Sequence, residues 1–219
     1  MSLTLSTTSA FSLKAGEETR QAHFAARPDG IWVYIDEDEK ALLATLDYLS
    51  DRATAIVLGT MVELRLQRAL LSKFKRDKNA EQRLFNVSGP LGAFGPKIDL
   101  CFSIGLLSEE AFKDLTHFKD IRNLFAHRLD IHDFLSQKIR DKATNLKMID
   151  KLVADQPPGK TGSGINLIDD PLGSGKPIIT IERASMRKKS AKERYMLTAQ
   201  LIFIGFAWCE FRQHRWPLI

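Results

Sequence analysis

The spacing of apolar residues between Phe112 and Phe125 constrains the fold more than any other feature of this chain. Phe112, Leu115, Phe118, Ile121, Leu124 and Phe125 recur at steps of three and four, the period that lines one face of an α-helix. Such a helix is stable only when that face is covered, so the rest of the chain must supply packing partners. Its start is marked by Ser108, an N-cap hydroxyl, followed by Glu109 and Glu110 beside the positive end of the helix dipole. Upstream, the Gly and Pro residues of Gly89–Lys97 prevent regular structure until Pro96, which suits a first helical turn because its missing N–H would be unpaired there. A preceding helix from about Pro96 therefore carries Ile98, Cys101, Phe102 and Ile104 to Leu107.

The partners are legible on both sides. Asp36–Glu39 forms an acidic first turn before Leu42, Leu43, Leu46 and Leu49, and Ser50-Asp51 caps a longer helix through Ile56, Val57, Met61, Leu64, Leu66, Leu70 and Leu71 to about Lys75. Lys73, Lys75, Arg76 and Lys78 read as its solvated basic end. Beyond the central pair, the pattern predicts two shorter helices, Asp133–Arg140 and Ala143–Val153. From Asp155 to Lys176 the composition turns to Pro, Gly, Ser, Lys and Asp, an exposed loop, and from about Thr180 to Trp216 it reads as one long helix, basic early and apolar later. The start of the chain is rich in Ser, Thr and Ala, with a Pro28-Asp29-Gly30 turn before Ile31–Ile35, a short strand or an apolar arm laid on the bundle. The expected architecture is an all-α helical bundle: an N-terminal arm over residues 1–35, partly extended, then a single helical domain over 36–219 with an exposed loop at about 155–178 before the C-terminal helix.

With 219 residues, 44% of them hydrophobic, the chain can bury one ordinary core. Cys101 and Cys209 both sit in apolar helical patterns and no secretory signal precedes them, which fits a reduced, cytoplasmic setting. The longest apolar run, Leu201–Cys209, falls well short of the ~20 residues a membrane span needs, so no membrane is expected among the partners. A net charge of +5 permits RNA or DNA as a partner without requiring either.

Chemical specificity concentrates in Arg122-Asn123-Leu124-Phe125-Ala126-His127. At roughly 100° per residue, Asp120, Asn123 and His127 form one polar stripe, while Arg122 and His127 stand about 140° apart. These groups either hydrogen-bond and pair with neighbouring helices or place a guanidinium, an amide and an imidazole in one cleft, as acid/base cleavage of a phosphodiester needs. Periodicity alone leaves both readings open. His127, Asp130, His132 and Asp133 are metal-ligand types without a metal-site spacing, and the Gly-Lys pairs at 159–160 and 175–176 lack the phosphate-loop spacing, so neither a metal nor a cofactor is expected. Arg183, Arg187, Lys188 and Lys192 crowd the start of the last predicted helix and either track a phosphate backbone or face solvent.

The run Gly89-Pro90-Leu91, Phe94, Lys97-Ile98-Asp99-Leu100, Gly105-Leu106-Leu107, Asp120-Ile121-Arg122-Asn123 and Phe125-Ala126-His127 resembles the signature of the mannitol operon repressor family. That resemblance implies an all-helical fold and transcriptional regulation without a helix-turn-helix. The family carries a Glu shortly before Phe-Ala-His, near where this chain has Leu124. The hexapeptide also resembles the Arg-x4-His pattern of the HEPN superfamily, helical domains many of which are dimeric ribonucleases. The two resemblances imply, respectively, a cytoplasmic regulator acting through protein or nucleic-acid contacts and a metal-independent endoribonuclease. In the latter, His127 would exchange protons, Arg122 would stabilise phosphorane charge and Asn123 would orient the substrate or His127 across a homodimer cleft.

Overall fold

The computed structural model describes residues 6–15, 18–27, 30–34, 36–74, 77–150, 163–168, 178–183 and 189–212, with side chains at 32–34, 36–74, 77–150 and 189–206. The helices are α1 (Glu37–Thr45), α2 (Asp51–Leu71), α3 (Lys78–Phe85), α4 (Phe94–Ser103), α5 (Glu109–His127), α6 (Gln137–Ala143) and α7 (Ala191–Arg212). They form the expected helical bundle and start where capping side chains stand. Asp36 accepts from the Glu39 N–H at 2.8 Å, Ser50 from Ala53 at 3.3 Å and Ser108 from Ala111 at 3.1 Å. Gly105, at φ 72°, ends α4 by letting the Leu106 N–H turn back to the Cys101 carbonyl at 2.8 Å.

The helices depart from the sequence expectation at several points, α6 among them, which begins at Gln137 rather than Asp133. α4 begins at Phe94, so Pro96 lies inside its first turn. α3 was not anticipated. It is capped by Asp77, which accepts from the Ala80 N–H at 2.8 Å, but it is short and buries no side chain fully. α7 starts at Ala191 rather than near Thr180. Ser190 and Glu193 close a capping box there, Glu193 N–H to Ser190 Oγ at 3.3 Å and Ser190 N–H to Glu193 Oε2 at 2.8 Å. Upstream, the β-branched run Ile178-Ile179-Thr180-Ile181 forms β5 (Ile178–Arg183) instead, antiparallel to β4 (Ser163–Ile168).

A second antiparallel sheet precedes the bundle, in the order β1 (Ser6–Ala15), β2 (Glu18–Arg27), β3 (Gly30–Tyr34). β3 lies against α1 and α7 and buries Trp32, Val33 and Tyr34, with the Trp32 ring meeting Phe203 edge-on at 5.8 Å. The core lies between α2, α5 and α7. Leu115, Phe118, Ile121 and Phe125 of α5 are all buried in it, and each contributes roughly 2 kcal/mol by leaving water. Tyr195 of α7 stacks on Phe118 at 4.0 Å and donates its hydroxyl to the Ala55 carbonyl of α2 at 2.9 Å. No helix among the described residues is long and apolar enough to cross a membrane.

Candidate functional site

Arg122 projects from α5 into the angle between α2 and α4. It gives Nη2 to Glu63 Oε2 of α2 at 2.6 Å, while the same carboxylate takes Lys97 Nζ of α4 on Oε1 at 2.8 Å. Arg122 also gives Nη1 to its neighbour Asn123 Oδ1 at 3.0 Å and lays its guanidinium over the Phe94 ring at 5.7 Å. The approach depends on Gly59: a Cβ there would stand 2.4 Å from Arg122 Cγ. All three charged side chains are largely withdrawn from water, Arg122 the least so at 22% exposure. The result is a carboxylate shared by two cations at the meeting point of three helices.

His127 stands elsewhere. As the last residue of α5 it is exposed, and no hydrogen bond joins it to Arg122 or Asn123 among the described residues. The angular separation read from the sequence has this consequence: Arg122 faces the bundle interior while His127 faces solvent. Within one chain the three candidate residues therefore supply a tied guanidinium, an amide bound to it and a separate imidazole. Asp120, the remaining member of the polar stripe, faces α6. Burial pulls its carboxyl upward, but the Lys142 ammonium at 2.8 Å outweighs that and holds it below the usual carboxylate range.

The basic residues before the last helix are spread over different elements. Arg183 is on β5, Arg187 and Lys188 lie outside the described residues, and Lys192 pairs with Asp51 of α2 at 2.8 Å. Nearby Arg194 is buried and spans Asp150 at 3.0 Å and the Ala143 carbonyl at 3.0 Å. Glu63 and Arg52 stand in no motif of the sequence, and Lys97 enters only as part of the run that resembles the family signature. Each is a charged residue inside or beside an apolar helical run, a detectable anomaly, although nothing in the sequence indicates which distant group answers it.

This geometry defines a helical-bundle protein whose polar centre is turned inward. Residues 52–164, just over half of the chain, match the family described as mannitol repressor, and the chain belongs to that family. Among solved structures it is similar to a possible transcriptional regulator, YggD, from Shigella flexneri, at 17% identity and a TM-score of 0.50, covering 80% of this chain and 98% of that one. It is likewise similar to a chain of the MtlR–HPr complex from Escherichia coli, at 16% identity and a TM-score of 0.52, covering 78% of this chain and 99% of that one. At these identities the likeness concerns the fold. No curated protein matches the chain significantly.

Proposed function

We propose that this chain is a cytoplasmic regulator of transcription that acts by docking a partner protein on its helical bundle, and that it works as a homodimer. The match to the mannitol repressor family across α2 to α6 carries this reading. The partner class is suggested by the neighbouring structure, in which MtlR is held in a complex with HPr. The Arg122 network is consistent with such a role, since Arg122 Nη1 and Nη2 and Lys97 Nζ are engaged within the chain and stiffen the meeting of α2, α4 and α5.

The test is calorimetric titration of the purified protein with HPr from the organism that makes it. Saturable binding with a Kd on the order of micromolar, a usual range for transient signalling contacts, is the expected result. The same preparation, incubated with structured and unstructured RNA in EDTA, should leave the RNA intact. Cleavage by the wild type that disappears in both Arg122→Ala and His127→Ala would replace the regulator with a metal-independent ribonuclease.

A further inference from the structure

Many cations of the bundle are answered within the chain. Arg52, at the start of α2, gives its guanidinium to the Phe125, Arg128 and Ile131 carbonyls, Arg65 and Arg68 hold Glu39 and Asp36, and Lys192 pairs with Asp51. The corner between α2 and α3 differs. Residues 73–83 carry five cations against two carboxylates, a net +3 of the chain's +5. Lys73, Lys78 and Arg83 are exposed there, with no hydrogen-bond or ion-pair partner among the described residues. Both carboxylates keep their charge, but Asp77 stands at the N-cap, bonded to the Ala80 N–H, and Glu81 is half-buried on the side of Leu84 and Phe85. The acidic run Asp36–Glu39, which meets the last turns of α2, is matched by Lys40, Arg65 and Arg68 for all but one charge.

The exposed residues of α3 are Lys78, Asn79, Gln82 and Arg83, and they fall within an arc of about 140°. This face holds two cations and two amides, with no carboxylate and no apolar side chain. A protein-docking face is built around an apolar centre, and a single-strand face needs open aromatic rings on which bases stack. The aromatic rings here, Phe74 and Phe85, are half-buried against each other at 6.3 Å. Arg with Asn or Gln is instead the set that bonds guanine and adenine edges in the major groove of DNA, a channel about 12 Å wide that admits an α-helix. The backbone is fixed in advance. Leu91 N–H donates back to the Leu84 carbonyl at 2.9 Å, and a Cβ on Gly89 or Gly92 would stand 2.5 Å from the Arg83 carbonyl or 2.2 Å from the Asn86 carbonyl.

We propose that α3 is a contact helix for double-stranded DNA, with Asn79, Gln82 and Arg83 turned to base edges in the major groove and Lys73 and Lys78 to the flanking phosphates. This goes beyond partner docking and does not depend on it. A helix already held in place loses little freedom on binding.

Fluorescence anisotropy with a labelled DNA duplex of about 30 base pairs and mixed sequence, without HPr, tests the contact. Wild type should bind, and its affinity should fall at least about thirtyfold between about 50 and about 200 mM salt, as counterion release from three or more phosphates requires. Lys78→Glu/Arg83→Glu, checked for unchanged thermal unfolding, should weaken binding at least about tenfold, and Lys78→Gln/Arg83→Gln should fall between it and wild type. Lys138→Glu/Lys147→Glu makes the same change in net charge at exposed positions on and after α6, and should cost less than about threefold. Duplex RNA of the same sequence should bind at least about fivefold more weakly, because its major groove is too narrow for a helix. The proposal is overturned if wild type does not bind the DNA, if both charge-reversed variants lose affinity equally, or if RNA binds as tightly as DNA.

Discussion

Glu63 answers two cations with its two carboxylate oxygens, Lys97 on one and Arg122 on the other. Removing its charge while keeping its shape leaves an ammonium and a guanidinium facing each other in a space largely closed to water, where neither can be solvated fully. Glu63→Gln should therefore cost roughly 3 kcal/mol of unfolding free energy in urea titrations, and the added change Lys97→Met should restore part of it by removing one uncompensated charge. A loss below about 0.5 kcal/mol would mean that the pair is as dispensable as an exposed ion pair. The candidate site was half legible at this scale. Arg122, Asn123 and His127 stood out by type and spacing, but the partner that fixes Arg122 lies 59 residues away on another helix. Helical phase separated Arg122 from His127; only tertiary packing showed what each faces.

Elements with a buried stripe and a capping side chain were read well from the sequence. α2 and α5 begin at Ser50 and Ser108 because a hydroxyl at each start accepts an amide that the helix itself cannot satisfy. α3 escaped because its contacts are partial, with Phe85 meeting Phe74 at 6.3 Å and no side chain fully covered. The stretch from about Thr180 reads as the basic early part of one long helix, whereas the β-branched residues Ile178–Ile181 lie in β5 and α7 opens at the Ser190–Glu193 capping box. Arg52 works between elements, joining the start of α2 to the end of α5. Arg52→Ala should release three carbonyls and raise amide exchange across residues 127–134 by at least about tenfold, equivalent to ~1.4 kcal/mol of local opening, with exchange in the middle of α2 little changed. Uniform acceleration throughout the protein would instead make Arg52 a global support.

At the scale of the molecule, Asp114 ties α5 to the segment leading towards the last helix. Its carboxylate accepts the Lys147 and Met148 N–H groups, each at 2.8 Å, yet burial outweighs these bonds and raises its pKa to about 6 from the ordinary 3.8. A raised value means that the native state favours the protonated form. The resulting stabilisation is complete below about pH 4 and is lost as pH rises through about 6, at most about 3 kcal/mol in all. Asp114→Asn cannot titrate, so its stability relative to wild type should improve between pH 4 and pH 7 in thermal melts. Parallel pH profiles for the two proteins would show that Asp114 is not the titrating group.

Tyr195 reaches the Ala55 carbonyl across 140 residues of chain, and Phe203 meets Trp32 across a still longer interval. Bringing the ends of a 140-residue loop together costs about 4 kcal/mol in chain entropy before any contact offsets it. The earlier helices therefore have no complete interior of their own: during synthesis, the apolar faces of α2 and α5 must wait for α7 to leave the ribosome before they can be sealed from water.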